Sequence, residues 1–291
     1  MITKPMLAAT LKTDEYHLIS YPKAATPKLD GIRCIKKDGK ALTRSFKPIP
    51  NDFIRTRIET SCPDGFDGEI IIEGLQLNEI NSAVMSKEGE PNFKYYVFDY
   101  VLAGKLEEPY TSRTYRLEYT PIPDFVRRVL PTLIDSAEEL AEYEEKIVSK
   151  GYEGVILRDP RGRYKCGRST FKEGLLLKIK RWVDSEATII GFEEEMENTN
   201  EQTRDALGHA ERSTHKEGMK PTGMLGSFVL RGADGVEFNC GSGLTEQKSR
   251  EYWAARDSLL GKLVTFKYIP HGIKEKPKNP IFKAVRDPRD L

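Results

Sequence analysis

The stretch Lys28-Leu29-Asp30-Gly31-Ile32-Arg33 stands apart from the rest of the chain. Lys28, Asp30, Gly31 and Arg33 are four fixed positions of average abundance. Such a set recurs by chance on the order of once in 10⁵ start points, so background does not account for it in 291 residues. Taken alone, it also reads as a lysine at a strand edge before an ordinary turn, and its surroundings have to decide. Residues 24–37 run into Lys37-Asp38-Gly39-Lys40 and resume as Ala41-Leu42-Thr43-Arg44, two strands joined by a hairpin turn at Asp38-Gly39. Further short strands are expected at 66–73, 93–102, 152–158 and 174–181. Helices are expected at 51–60, at about 112–119, and after Ser136, where Glu139 completes a capping box and Gly151 marks the stop.

Beyond Trp182 the pattern changes. Strands are expected at about 187–194, 226–231, 236–241, 262–269 and 281–285, with one helix, 245–260, between the third and fourth. That order is the one expected of an OB-type barrel, a small sheet used repeatedly for oligonucleotides. The polar stretch 195–222 between the first two strands reads as a mobile surface insertion, or as a loop that orders on a nucleic acid.

Composition bounds the rest. A length of 291 residues allows two domains at roughly 150 residues each, with a sizeable core. Lys and Arg total 46 against 45 Asp and Glu, a net charge of +1, so total charge neither points to a polyanionic partner nor excludes one. No apolar run approaches the roughly 18 residues of a membrane span, and the first twenty residues lack a signal-peptide core, so a cytoplasmic chain without membrane contact is expected. Cys34, Cys62, Cys166 and Cys240 are widely spaced, with no metal-ligand spacing, and read as reduced thiols.

Five further segments follow Lys28 in order: Thr43-Arg44-Ser45, Asp67-Gly68-Glu69-Ile70, Tyr95-Tyr96-Val97-Phe98-Asp99-Tyr100, Glu153-Gly154-Val155-Ile156-Leu157-Arg158 and Leu177-Lys178-Ile179-Lys180. With them, and with the opening Pro5-Met6-Leu7-Ala8, the chain resembles the covalent nucleotidyltransferases and, among these, the ATP-dependent DNA ligases. In that family K-x-D-G-x-R carries the nucleophilic lysine. The resemblance covers nearly the whole chain and implies an α+β fold. A nucleotidyltransferase (ATP-grasp-like) adenylation domain of antiparallel sheets with helices would span 1–183, and an OB-fold DNA-binding barrel 184–291. It is the two-domain core of the kind found in bacteriophages and as small accessory ligases in bacteria.

The resemblance also implies roles. Lys28 is the catalytic residue, and Thr26, Pro27, Lys28, Leu29, Arg33, Arg44, Glu69, Phe98, Lys178 and Lys180 bind ATP. Phe98 stacks on the adenine, and Arg44 lies near ribose or DNA phosphate. Glu153 and Glu69 hold Mg²⁺ or Mn²⁺. Apart from the resemblance, the segment 262–291 is enriched in Lys and Arg over acids, which suits either a solubilising face or a phosphate-tracking surface; on the second reading Lys274, Lys276, Lys278 and Arg286, with Arg44, contact nicked duplex DNA. Arg113 and Arg116 match a segment with no assigned role. The C-terminal R-x-D-K motif of larger ligases is not reproduced, since Pro288 stands where its Asp would be, although Arg286 and Arg289 could take its basic positions. The implied reaction is nick sealing through lysyl-AMP and DNA-adenylate by a monomer. An RNA ligase, an RNA-capping guanylyltransferase and a non-catalytic OB-fold binding protein stay open as alternatives.

These residue types suit the chemistry. A lysine with its ordinary pKa of about 10.4 is almost all protonated at neutral pH and cannot attack phosphorus. Arg33, Lys178 and Lys180 supply a positive field that favours the free amine and neutralises charge on the transferring phosphoryl group. Strand alternation puts Lys178 and Lys180 on one face and Ile179 on the other. A chain of net charge +1 that binds DNA must concentrate its cations on one face. Its DNA affinity should therefore fall steeply as salt is raised in a filter-binding titration, and an affinity flat across salt would contradict this.

Overall fold

The computed structural model describes residues 2–204, 210–269 and 276–286, with Ala210 and Glu211 as backbone only. Lys274 and Arg289 lie outside the described residues. The chain separates into two compact units, with the division between Lys180 and Arg181.

The first unit opens with β1 (Met6–Leu7), β2 (Ala9–Thr10), β3 (Lys23–Pro27), β4 (Ile32–Lys37) and β5 (Lys40–Leu42). Then come α1 (Asp52–Ser61), β6 (Phe66–Ile72), α2 (Leu77–Met85), β7 (Phe93–Tyr100) and α3 (Tyr110–Tyr119). It closes with β8 (Val126–Arg128), β9 (Thr132–Ile134), α4 (Ala137–Ser149), β10 (Gly154–Arg158), β11 (Gly167–Arg168) and β12 (Leu176–Lys180). Two five-stranded, mainly antiparallel sheets result, ordered β2-β12-β10-β3-β9 and β5-β4-β6-β7-β8. Each has its own core. Ala25, Val155, Leu157, Leu177 and Ile179 of the first sheet pack with Leu140 and Ile147 of α4. Cys34, Phe66, Ile70, Tyr95 and Val97 of the second pack with Ile54 and Ile58 of α1 and with Ile80 and Val84 of α2.

The expected continuous strand over 24–37 is in fact two strands in two different sheets. Residues 28–31 form the crossing between them, which puts the decisive motif at the junction of both layers. Gly31 is required there: a Cβ would lie 2.6 Å from the Ile70 carbonyl oxygen and 2.8 Å from Ile71 Cγ1. The hairpin at Asp38-Gly39 is present, with both residues at positive φ. Helix α4 begins as expected, Ser136 Oγ accepting from the Glu139 N–H at 3.2 Å.

In the second unit, β13 (Val183–Asn198), β14 (Gln202–Arg204), β15 (Ala210–Arg212), β16 (Met219–Gly232) and β17 (Glu237–Cys240) precede α5 (Glu246–Ala254) and α6 (Arg256–Leu259). β18 (Leu263–Ile269) and β19 (Lys278–Val285) complete a five-stranded sheet ordered β17-β16-β13-β18-β19. A parallel bridge from Ser242 to Ile281 links its two edges into a barrel. Phe228, Phe266 and Phe282 fill it, the Phe228 and Phe282 rings stacked at 5.2 Å. The stretch 195–222 departs from the surface-loop expectation. β13 runs on to Asn198, β16 begins at Met219, the two stay paired as far as Asn198 with Met219, and β14 pairs with β15 beyond them. Glu and Lys alternate with Met196 and Met219 there, so the segment lacks the apolar periodicity that marks a half-buried strand.

One buried ion pair ties α3 to β7. Arg113 and Asp99 are each 1% exposed and make two contacts, at 2.7 and 3.1 Å, and Arg113 also donates to the Gly162 carbonyl at 3.1 Å. This answers for Arg113, which sequence left without a role. Removing one partner strands the other charge inside the protein. Asp99→Ala should lower the free energy of unfolding by about 3–5 kcal/mol in a urea titration. A loss under ~1 kcal/mol, the range of exposed pairs, would show that the pair does not hold this layer.

Candidate active site

A cleft between the two sheets of the first unit gathers most of the residues singled out from sequence. Thr26, Pro27, Lys28, Leu29, Arg33, Arg44, Glu69, Phe98 and Lys178 all line it, joined by Met6, Ala8, Ile156, Arg158 and Arg168. Lys180 and Glu153 enter through Lys28. Both oxygens of the buried Glu153 carboxylate are engaged, Oε2 by the Lys28 ammonium and Oε1 by that of Lys180.

Local backbone explains the convergence. β10 pairs with β12 so that Gly154 opposes Lys180 and Ile156 opposes Lys178. At Gly154 a Cβ would sit 2.1 Å from the Ile179 carbonyl oxygen, so only glycine lets the strands approach here. The Lys28 N–H donates to the Gly154 carbonyl at 2.8 Å, and the Gly31 N–H donates to Glu69 Oε2 at 3.1 Å. Each end of the crossing turn is thus pinned to a different sheet. Ile179 is fully buried between Lys178 and Lys180, as strand alternation requires.

Arg33 is held by a fork to buried Asp67, Nε to Oδ1 at 2.5 Å and Nη2 to Oδ2 at 2.7 Å. The Tyr164 hydroxyl donates to the same carboxylate at 2.7 Å. Phe98 is 7% exposed, and the guanidinium carbons of Arg33 and Arg158 each lie 4.8 Å from its ring centre. Arg44 is exposed at the cleft.

The charges perturb one another. Burial pushes the Glu153 carboxyl up, but the ammoniums of Lys28 and Lys180 outweigh it and bring the pKa down to about 2. Glu69 goes the other way: burial outweighs Lys28 and Arg33, and its pKa rises to about 7. The Lys178 ammonium is lowered, first by burial and then by Lys180, Arg168, Lys28 and Arg44. Among the described residues no cluster of three or more acidic, His or Cys side chains forms a metal cage. Magnesium asks for less, commonly one or two carboxylates with phosphate oxygens, and Glu153 and Glu69 fit that donor set.

Sequence reasoning gave no role to Asp67, Tyr164, Arg158 or Arg168. Asp67 and Arg158 stand inside quoted motifs, while Arg168 is brought in by the two-residue pairing of β11 with β1 and had no local signal. Of the cations expected to meet DNA, Arg286 is paired with Glu186 at 2.5 Å, and neighbouring Lys283 with Asp184 at 2.8 Å. Lys276 is exposed and Lys278 lies in β19.

A family model described as ATP dependent DNA ligase domain matches residues 5–180, and one described as DNA ligase OB-like domain matches 218–286. The chain belongs to the ATP-dependent DNA ligase family. The crystal structure of Chlorella virus DNA ligase-adenylate is 36% identical, covers 99% of both chains and superposes with a TM-score of 0.56. A Lig E DNA ligase structure is 25% identical, covers 98% of this chain and 100% of that one, and gives a TM-score of 0.74. A DNA ligase of African swine fever virus is 25% identical over 130 residues, 43% of this chain but 31% of that protein's length.

The raised Glu69 carboxyl has a consequence for stability. A folded-state pKa of about 7 against an ordinary value of 4.5 means that the folded protein binds a proton the unfolded chain releases. Glu69 therefore costs stability progressively as pH rises from about 4.5 through 7. Glu69→Gln should gain on the wild type over that interval in urea titrations at pH 5 and pH 8. A pH-independent difference between the two proteins would contradict this.

Proposed function

We propose that the protein is an ATP-dependent DNA ligase that seals nicks in duplex DNA through three transfers of one adenylyl group. The observation that carries this reading is the convergence of Lys28 and Lys180 on buried Glu153 inside a cleft lined by Arg33, Lys178 and Arg168. In the first transfer the Lys28 nitrogen attacks the α-phosphorus of ATP. A P–N bond forms, the bond to the β-phosphate oxygen breaks, and pyrophosphate leaves. In the second, a 5′-phosphate oxygen at the nick attacks the same phosphorus and Lys28 is released. In the third, the 3′-hydroxyl attacks the activated 5′-phosphate, the phosphodiester forms and AMP departs.

Glu153 accepts from the Lys28 side chain and fixes its position. Lys178 and Lys180 bring two further cations to the same cleft. Their charge, with that of Arg168, also opposes charge built up on the phosphates. A divalent cation held by Glu153 and Glu69 supplies further positive charge against the triphosphate when bound. The Arg33–Asp67 fork keeps the β4 side of the cleft in place, and Phe98 offers a flat apolar wall for the adenine. Lys276 and Lys278 of the second unit, with Arg44 of the first, are assigned to the DNA backbone, where cations position without reading sequence. Assignment of domains as 1–183 and 184–291 belongs to the same proposal.

The test is sealing of a singly nicked duplex carrying a labelled internal 5′-phosphate, with ATP and magnesium. Lys28→Ala should form no adenylated enzyme and no adenylated DNA from ATP, yet should still join a nick supplied already adenylated. Wild type that leaves the nick open, or Lys28→Ala that adenylates DNA from ATP, overturns the proposal.

A further inference from the structure

Tyr164 has no place in the three transfers above, yet its hydroxyl joins two parts of the first unit that meet at the cleft. It is 2% exposed, donates to Asp67 Oδ2 at 2.7 Å and accepts from the Met6 N–H at 3.1 Å. The two ends of this bridge differ. Asp67 is fully buried in β6 and is fixed by the fork from Arg33. Met6 opens β1, a strand of two residues, and Met6, Leu7 and Ala8 all line the cleft. Burial first, and Asp67 next, push the Tyr164 phenol well above its ordinary pKa, so the hydroxyl keeps its proton for Asp67.

Segment 5–8 in turn carries Arg168. β1 lies parallel to β11, with Met6 opposite Gly167 and Leu7 opposite Arg168. The Gly167 N–H donates to the Pro5 carbonyl at 3.1 Å, and the Ser169 N–H to the Leu7 carbonyl at 2.8 Å. The Arg168 guanidinium itself donates through Nη1 to the Ala8 carbonyl at 2.8 Å. Backbone and side chain of Arg168 thus both take their position from this segment. Downstream, Ala9 and Thr10 pair with β12 in the first sheet. Upstream, the Tyr164 hydroxyl ties Met6 to Asp67 in the second. Arg33 Nη2 reaches the Met6 carbonyl only at 3.5 Å, the limit of a hydrogen bond. A pairing as short as that of β1 with β11 is marginal by itself, so the position of Arg168 depends on both ties.

We propose that Tyr164 is a positioning residue for adenylyl transfer: by fastening Met6 to Asp67 it holds segment 5–8 between the two sheets and sets Arg168 against the phosphates of ATP. This rests on the reading of the cleft as an ATP site. In Tyr164→Phe the Met6 N–H loses its acceptor and Asp67 loses one donor, while the aromatic ring and the Arg33 fork stay. The segment is released from the second sheet and Arg168 moves with it. A charge held in place before the reaction becomes one that must be ordered during it, and stabilisation of the transferring phosphoryl group falls.

The test is single-turnover adenylation of the full-length protein with α-labelled ATP and magnesium, for wild type, Tyr164→Phe, Arg168→Ala and the double variant. At saturating ATP, Tyr164→Phe should lower the rate constant about tenfold, within the range of coupling between groups that share one hydrogen-bond network. On the Arg168→Ala background the same change should cost less than about twofold, because the residue through which it acts is gone. The rate constant is read from the protein that reacts. A tyrosine that only held the fold together would lower the labelled fraction and leave the constant unchanged, which would overturn the proposal. So would a Tyr164→Phe loss that multiplies in full on Arg168→Ala. If Tyr164→Phe yields no protein that reacts, replacing Tyr164 by para-aminophenylalanine, which still donates to Asp67 but accepts poorly from Met6, carries the same two expectations. Wild type that takes no label from ATP removes the ATP site and the proposal together. Wild type that is labelled, with an unchanged constant in Tyr164→Phe, removes the proposal alone.

Discussion

The buried carboxylate of Glu153, shared by the ammoniums of Lys28 and Lys180, is the interaction on which the architecture of the cleft turns. Two cations this close repel, and a carboxylate in a buried site is costly without partners. Each cost is offset only by the other. The next residue supplies the matching backbone constraint. Gly154 has no Cβ to keep β12 away, and its carbonyl accepts the Lys28 N–H, so one dipeptide fixes both the tip and the root of the lysine.

That constraint draws on two sheets, one on each side of the cleft. β3 and β10 bring the Lys28 root, Glu153 and Ile156 from one side, while β4, β6 and β7 bring Arg33, Glu69 and Phe98 from the other. The turn over 28–31 is the only piece of the motif that belongs to both, and Gly31 is the residue that lets it pass close beneath Ile70. A chain of net charge +1 thereby concentrates Lys28, Arg33, Arg44, Arg158, Arg168, Lys178 and Lys180 around one cleft. Net charge hid this because most of the acids that balance them are spread over the rest of the sequence, Asp67, Glu69 and Glu153 excepted.

Sequence made the site more legible than the fold around it. Lys28, Glu69, Glu153, Lys178 and Lys180 stand in short contiguous motifs, and strand alternation alone placed the last two on one face. The helix after Ser136 carried its own start and stop signals. What could not be read depends on pairing between distant segments. The splitting of 24–37 between two sheets is set by which partners β3 and β4 find, β10 and β6, and nothing local announces it. Arg168 reaches the cleft through two residues of β11 lying beside β1. α2 escaped notice because Leu77, Ile80 and Val84 form a narrow stripe among polar residues. The extension of β13 and β16 into 195–222 is held by backbone pairing, which leaves no hydrophobic trace.

On the function proposed above, Lys28, and neither of the lysines beside it, is the group expected to take the adenylyl moiety. The turn brings Lys28 in from a loop, whereas Lys178 and Lys180 are carried on a strand. Peptide mapping by mass spectrometry after incubation with ATP and magnesium tests it most directly. One AMP per protein is expected, on the peptide and at the side chain of Lys28. AMP found on Lys178 or Lys180, or a protein that carries none while still binding ATP, would contradict it.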